Sequence, residues 1–248
     1  MPHLSYAGRS DAGRHRENNE DAWFADAESG LFVVADGMGG ERAGELAAEV
    51  VVTLLPRLVE EKLRGADDLA APAAQQSFHD ALAELSDQVR AETVGEPGLE
   101  GMGAAVAAVL IRGSRALVGH MGDSRVYVCS HGWLRQITRD HSIAQLLVDA
   151  GEITPDQAKD HPGAYQLSRY VGMPDAALPE VQSIRLQADD ILLLCTDGLT
   201  GMLSDEQIAE SVRWDVPLEE TCRLLVASAN DAGGEDNVTV VLARLEAS

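Results

Sequence analysis

Several features that mark common functional classes are scarce in this chain of 248 residues. Only 19 residues are basic against 41 acidic ones, so the formal net charge is −22. Such a chain repels the phosphates of nucleic acids, and we expect no nucleic-acid partner. Acidic surfaces also favour solubility, so the charge alone does not indicate a cation site. Aromatic residues make up 4% of the chain, so aliphatic side chains must form most of the core.

Cysteines and long apolar runs are equally scarce. Cys129, Cys195 and Cys222 are odd in number and far apart, which argues against a disulfide framework or a zinc ribbon. No apolar run is long enough to cross a bilayer. The first residues lack the basic and apolar pattern of a signal peptide. We therefore expect free buried thiols in a soluble, cytoplasmic protein without membrane insertion.

Strand-like and helix-like segments occur in blocks along the chain. Two strand-like runs precede helical periodicities over 41–63 and 73–92, and Pro56 predicts a kink or a break in the first helix. Four short runs between 104 and 138, separated by turn signals, predict an antiparallel meander. This block order predicts an α+β fold of antiparallel sheets covered by helices. The stretch from Asp140 to Gly172 differs in polarity and resembles an inserted flap.

Short acidic segments stand where strand-like runs meet turns. Asp36-Gly37 and Asp197-Gly198 each end an apolar run, and Asp236 precedes the closing strand. A single Asp-Gly pair is usually an ordinary turn, but two pairs after such runs are less easily dismissed. Carboxylates at strand ends repel one another unless a cation lies between them. Oxygen ligands suit Mg²⁺ and Mn²⁺, so the pattern predicts a divalent-metal site with more than one ion.

Such a site is typical of a two-metal hydrolase. Ions roughly 3.5–4 Å apart ionise a bridging water, which then attacks a phosphoryl or acyl centre. Arg16 lies three residues before Asn19, and its guanidinium matches a phosphate in a two-pronged hydrogen bond. Taken alone, Arg16 would more simply be a solvated charge. Single histidines are more often packing or capping groups than ligands, which applies to His120, His141 and His161.

Six motifs in this order give the chain a family resemblance. From about Tyr6 to Leu245 it resembles the PPM-type (type 2C) metal-dependent serine/threonine protein phosphatases, and it looks like their compact bacterial branch. The motifs are Arg16-x-x-Asn19-Glu20-Asp21, Val34-Ala35-Asp36-Gly37-Met38-Gly39-Gly40, Gly122-Asp123-Ser124-Arg125, Thr138-Arg139-Asp140-His141-Ser142, Cys195-Thr196-Asp197-Gly198-Leu199 and Asp236-Asn237-Val238-Thr239.

The resemblance implies a fold and a set of metal ligands. Residues 1–248 would form one phosphatase domain, a four-layer α-β-β-α sandwich with a flap at about 140–172. The catalytic aspartates would be Asp36, Asp197 and Asp236, which bind two Mn²⁺ or Mg²⁺ ions together with the Gly37 carbonyl. Asp36 would bridge these two ions, and Asp123 with Asp197 would hold a third, weaker ion.

The resemblance also implies the reaction and the partners. Glu20 and Asp21 would orient the waters bound to the ions, and Arg16 would position the substrate phosphate. The bridging water or hydroxide would attack phosphoserine or phosphothreonine directly, without a phosphoenzyme. Phosphorylated proteins, including a bacterial serine/threonine kinase, would be the partners in signal transduction.

Three departures from the family pattern accompany these expectations. Methionine stands at Met38, where many eukaryotic members have a histidine, so the group that protonates the leaving oxygen stays open. Ala104-Ala105 replaces two hydroxyl residues, and the usual asparagine before the end of the flap is replaced near Tyr165-Gln166. The alternative to an active phosphatase is a catalytically weak phosphoprotein-binding module of the same fold. The Ala104-Ala105 departure is its only support, whereas the intact carboxylates argue against it.

Overall fold

Strands in two sheets form the centre of the molecule. The computed structural model describes residues 4–93, 96 and 98–246. Within these residues the strands are β1 (Leu4–Asp11), β2 (Asp21–Asp26), β3 (Leu31–Met38), β4 (Gly103–Arg112), β5 (Arg115–Met121), β6 (Arg125–Ser130), β7 (Trp133–Gln136), β8 (Glu180–Arg185), β9 (Ile191–Cys195) and β10 (Val238–Leu245). The first sheet has the order β1-β10-β9-β6-β7, and the second has the order β2-β3-β4-β5-β8. All paired strands in both sheets run antiparallel.

Helices cover the outer faces of both sheets. Two long helices pack on the second sheet, three helices pack near the first sheet, and two short helices lie in the predicted flap. None of the helices in the described part of the chain is long and apolar enough to cross a membrane. The helices are α1 (Glu41–Lys62), α2 (Pro72–Glu92), α3 (Ile143–Asp149), α4 (Pro155–Lys159), α5 (Asp197–Thr200), α6 (Asp205–Ser211) and α7 (Leu218–Asp231), with a 3-10 turn at Pro162–Tyr165.

Three apolar clusters fill the spaces between the layers. Strand β3 shows how they arise, because its alternate side chains point to opposite faces. Val33 packs with the helices α1 and α2, whereas Phe32 and Val34 pack between the two sheets. A further cluster joins Leu193 and Leu242 of the first sheet to α7. The predicted α+β four-layer sandwich is therefore confirmed, and the three cysteines are buried and free, as expected.

The predicted meander over 104–138 is wrong. Strands β4 and β5 pair in the second sheet, whereas β6 and β7 pair in the first, so the chain changes sheets at Gly122-Asp123. The chain changes sheets again between β8 and β9. Strands β4, β5, β6 and β9 are largely buried, and a continuous apolar run fits either sheet equally well. The change of sheet places Asp123 at the junction of the two sheets instead of in a surface hairpin.

Three further details differ from the sequence-based expectations. The edge strand β1 was not anticipated, because its mixture of polar and apolar, half-buried residues gives little strand signal. Of the kink or break predicted at Pro56, the break does not occur, since helix α1 continues through Pro56 and the side chains of Leu55 and Val59 beside it are buried in the core. Asp197 begins the short helix α5 where only a turn was expected. In α1, tertiary packing outweighs the cost of one missing backbone hydrogen bond.

Candidate metal centre

The strands that carry the predicted aspartates end at the same side of the sandwich. In the second sheet, Asp21 begins β2 and lies directly opposite Asp36 near the end of β3. In the first sheet, Asp197 follows β9 and Asp236 lies two residues before β10. Because β9 and β10 are antiparallel neighbours, the end of one lies beside the start of the other. The two sheets thus bring acidic side chains toward one cleft.

The carboxyl groups interact across the two sheets. Asp36 of the second sheet and Asp197 beside the first lie close enough to share a hydrogen bond when one of the two carboxyl groups is protonated. The charges of Asp197 and Asp236 repel that of Asp21, and the charge of Asp197 repels that of Asp123. The structure therefore brings all five of these sequence-predicted aspartates together.

Burial and mutual repulsion make ionisation of this cluster costly. Burial first, and then the charge of Asp197, raise the pKa of Asp123 to about 8. Burial is also the main reason why the pKa of Asp21 is raised to about 7. The pKa of Asp36 is raised well above its usual value by burial and by the neighbouring carboxylates, and that of Asp197 is raised for the same reasons. Carboxylates in such surroundings become stable as anions only when a cation compensates them.

The cluster fits a hard divalent cation. Asp21 Oδ1 and Asp197 Oδ1 are buried, yet neither has a hydrogen-bond partner in the protein. Buried polar atoms without partners are rare in folded proteins, and such atoms call for an ion or a water. The donors are all carboxylate oxygens, the ligand type that Mg²⁺ and Mn²⁺ prefer.

Gly37 lies where no other residue would fit. Its N–H donates to the Glu20 carbonyl at 3.0 Å, and a Cβ atom at this position would overlap the carbonyl oxygen of Gly44 in α1. A Cβ atom at Gly44 would in turn overlap the carboxylate of Glu20. The two glycines therefore hold Glu20, the end of β3 and the start of α1 in close contact beside Asp36.

Arg16 also reaches the cluster. Its Nη2 donates to Asp236 Oδ2 at 2.7 Å, and about half of its side chain, 51%, stays exposed. The bare sequence left open whether Arg16 is only a solvated charge, but the structure pairs it with a predicted metal ligand. A guanidinium in this place can meet a phosphate that enters the cleft from solvent.

Two residues that hold the acidic segments in place received no role in the sequence analysis. Thr196 Oγ1 donates to Asp21 Oδ2 at 2.9 Å and so links the two sheets. Asn237 Oδ1 accepts the Glu20 N–H at 2.7 Å, and its Nδ2 donates to the carbonyls of Ala12 and Asn18. Both residues are neighbours of predicted aspartates within the motifs, which is the signal that could have identified them.

Comparison with known proteins assigns this arrangement to a family. Residues 8–241 match the family model described as Protein phosphatase 2C. The chain belongs to the protein phosphatase 2C family. The resemblance inferred from the six motifs is thereby confirmed.

Individual members of the protein phosphatase 2C family match most of the chain. The serine/threonine protein phosphatase PstP of Mycobacterium tuberculosis is 41% identical over 243 residues, which are 97% of this chain but only 45% of the relative. The chain thus spans about half the length of that relative. The serine/threonine phosphatase stp of Listeria welshimeri is 34% identical over 237 residues, which cover 94% of this chain and 93% of the relative.

A solved structure of a family member has the same fold. The crystal structure of the PstP catalytic domain, determined in complex with two manganese ions, is 38% identical to this chain. The two align with a TM-score of 0.81 over 100% of each chain. Similarity of this extent covers both sheets and the flanking helices.

Proposed function

We propose that this chain is a metal-dependent protein serine/threonine phosphatase. It hydrolyses phosphoserine and phosphothreonine by direct attack of water on phosphorus, without a phosphoenzyme. The observation that carries this proposal is the convergence of five aspartates, from strand ends in both sheets, on one cleft. Relatives named as serine/threonine phosphatases, one of them solved with two manganese ions, support it.

The proposed metal ligands are the aspartates of this cluster. Asp36, Asp197 and Asp236 serve as the catalytic residues and bind two Mn²⁺ or Mg²⁺ ions with the Gly37 carbonyl. Asp123 and Asp197 bind a third, weaker ion. When bound, the ions supply a water that is ionised near neutral pH and positive charge for the reacting phosphate.

The remaining residues of the site position the phosphate and orient the waters bound to the ions. Arg16 binds the phosphate oxygens, and its 2.7 Å contact with Asp236 places it beside the proposed ligands. Glu20 and Asp21 orient the waters bound to the ions. Asp21 is itself fixed, because Thr196 donates a hydrogen bond to one of its two carboxylate oxygens. Outer partners of this kind tune the affinity of a metal site.

The proposal extends to domain organisation, partners and location. Residues 1–248 act as one phosphatase domain, and the 140–172 segment acts as a flap that contributes to the choice of protein substrate. In support, the flap exposes 47% of Leu146 and 76% of Tyr165. The substrates are phosphorylated proteins in signal transduction, including a bacterial serine/threonine kinase. The free buried cysteines support a cytoplasmic location.

Hydrolysis of a phosphothreonine peptide and of p-nitrophenyl phosphate tests this function. We expect turnover with Mn²⁺, none with EDTA, and no phosphate covalently retained on the protein. Absence of turnover at every Mn²⁺ and Mg²⁺ concentration, combined with binding of the phosphopeptide, would instead identify the phosphoprotein-binding module. Ala104 and Ala105, the departure that supports the module, are buried within β4.

A further inference from the structure

His141 is bonded to the turn that carries Asp123. The His141 N–H donates to the Gly122 carbonyl at 2.9 Å. In return, the Gly122 N–H donates to His141 Nδ1 at 3.3 Å. His141 therefore binds both polar backbone atoms of Gly122, the residue directly before Asp123, and it is itself only 6% exposed.

The same turn is fixed from its other side by strand β4. Gly122 has a φ of +109°, in the left-handed region that favours glycine. A Cβ atom on Gly122 would overlap the side chain of Ala105. The turn is thus confined between β4 and His141, and the place of the Asp123 backbone depends on both.

His141 also connects this turn to the 140–172 segment. Its carbonyl accepts the N–H of Ser168 at 2.8 Å, near the end of that segment. Its Nε2 lies 3.5 Å from Glu180 Oε2 and 3.5 Å from Arg169 Nη1. His141, at the start of the predicted flap, therefore contacts the end of the flap through its carbonyl and its ring, and the turn before Asp123 through its ring nitrogen.

The histidines near this turn do not form a metal site of their own. Donor atoms of His120, His141 and Glu180 lie within 4.8 Å of one another. The two imidazole rings, however, are stacked with centroids 4.4 Å apart and an interplanar angle of 19°. An imidazole binds an ion in its own ring plane, along the nitrogen lone pair. Two nearly parallel stacked rings cannot share one ion in that way.

The hydrogen bonds assign one protonation state to His141. Burial first, and then the neighbours His120 and Arg169, lower its pKa to about 4, so the ring is neutral near pH 7. A neutral imidazole has one acceptor and one donor nitrogen. Because Nδ1 accepts the Gly122 N–H, the proton is on Nε2, which faces the Glu180 carboxylate.

We propose that His141 is a positioning residue that sets the place of the Asp123 carboxylate and thereby the affinity of the weakest metal ion. The link runs through the bond between the Gly122 N–H and His141 Nδ1. This inference rests on the proposed function, because Asp123 is there a proposed ligand of the third ion.

Three substitutions at one position test the link. In His141→Asn the amide oxygen takes the place of Nδ1 and can still accept the Gly122 N–H. In His141→Gln the amide reaches the place of Nε2 and the Glu180 carboxylate, whereas His141→Ala loses both contacts. His161 offers a matched control, because its Nδ1 accepts the Gly163 N–H at 3.0 Å within the flap and its side chain caps the 3-10 turn there.

Calorimetric titration with Mn²⁺ is the measurement, and it needs no turnover. We expect His141→Ala and His141→Gln to lower the affinity for the most weakly bound ion by about tenfold or more, as removal of a ligand-orienting partner typically does. His141→Asn should keep most of that affinity, and His161→Ala should keep all of it. The tighter ions should bind equally well in every variant.

Several outcomes would overturn the inference. If His141→Gln retains the affinity for the weakest ion and His141→Asn loses it, the contacts of Nε2 with Glu180 and Arg169 would be responsible instead of the Gly122 bond. If all variants bind the weakest ion equally well, or if the Asn and Gln variants lose the same affinity for it, the bond to Gly122 does not control that ion. If His141→Ala fails to fold by circular dichroism, the Asn and Gln pair decides alone. Asp123→Ala tests the third-ion site separately from the role of His141. If this variant binds as many ions as the unaltered protein, the proposed third site itself is refuted.

Discussion

Asp21 and Asp36 lie directly opposite each other on the antiparallel strands β2 and β3. Side chains at opposite positions point to the same face of a sheet, with Cβ atoms about 4.5–5.5 Å apart. Two ionised carboxylates in this place repel each other, and a divalent cation held by Asp36 would offset that repulsion. Without an ion, the pair therefore destabilises the fold at the site where the function is proposed.

Replacing Asp36 of this pair by a neutral residue should raise stability in EDTA and abolish activity. At pH 8.5 in EDTA we expect Asp36→Asn to stabilise the protein by about 1 kcal/mol or more, because the amide neither carries a charge beside Asp21 nor has to take up a proton on folding. The same variant should have no measurable turnover with Mn²⁺. Urea unfolding in EDTA and phosphopeptide hydrolysis are the measurements.

Asp26 at the other end of β2 provides the control for this experiment. It lies opposite Leu31, and hydrogen bonds from Ser29 lower its pKa. Asp26→Asn should therefore leave stability in EDTA unchanged or reduced. Equal stabilisation by both substitutions, or near-normal turnover of Asp36→Asn, would contradict the assignment of Asp36.

Stability in EDTA should fall as the pH rises. The pKa of Asp21 is raised to about 7 and that of Asp123 to about 8, both from a usual value of 3.8. The folded state thus binds these protons more tightly than the unfolded chain. The resulting stabilisation is complete below pH 3.8 and is lost as the pH rises through about 7 to 8.

Thermal unfolding across this pH range checks the sign. In EDTA we expect the melting temperature to decrease from pH 5 to pH 8.5, and Asp123→Asn should make the decrease smaller. The increase in melting temperature caused by Mn²⁺ should instead grow with pH, because ions bind the deprotonated carboxylates. A melting temperature in EDTA that rises over the same range would show that the aspartates are ionised without an ion.

Arg16→Ala should weaken substrate capture more than turnover. Loss of a charged hydrogen bond to phosphate costs about 1.5–3 kcal/mol, so we expect the KM for a phosphopeptide to rise at least tenfold. Arg14→Ala is the matched control, because Arg14 is 60% exposed and its nearest acidic partner, Asp231, is 3.9 Å away. Steady-state kinetics that show the same KM for both variants would remove Arg16 from the phosphate site.

The net charge of −22 should influence the choice of substrate. We expect phosphopeptides with basic neighbours to be hydrolysed with a higher kcat/KM than those with acidic neighbours. The difference should shrink as salt is added, because salt screens interactions between exposed charges. Matched peptides that differ only in flanking charge, assayed at low and high salt, provide the measurement. Equal rates at low salt would end this prediction.

The site could be predicted where its signals are local. Asp36 and Asp197 follow apolar runs and are joined to glycines, so each strand end is visible in the sequence. The block order of strands and helices gave the fold class for the same reason. The pairing of strands was not visible, and the meander prediction failed between Met121 and Arg125. A buried apolar run indicates that both faces of a strand are covered, but it does not identify the neighbouring strand.

The order of residues alone predicted the chemistry, from carboxylates beside strands, glycines that admit close packing, and an arginine upstream of an acidic pair. Only the three-dimensional packing decided that the chain changes sheets at Gly122, that Arg16 meets Asp236 across 220 positions of sequence, and that His141 holds the turn before Asp123. Strand ends follow from local patterns of polarity and glycine. Contacts between distant segments depend on how whole layers pack, which no short stretch of sequence encodes.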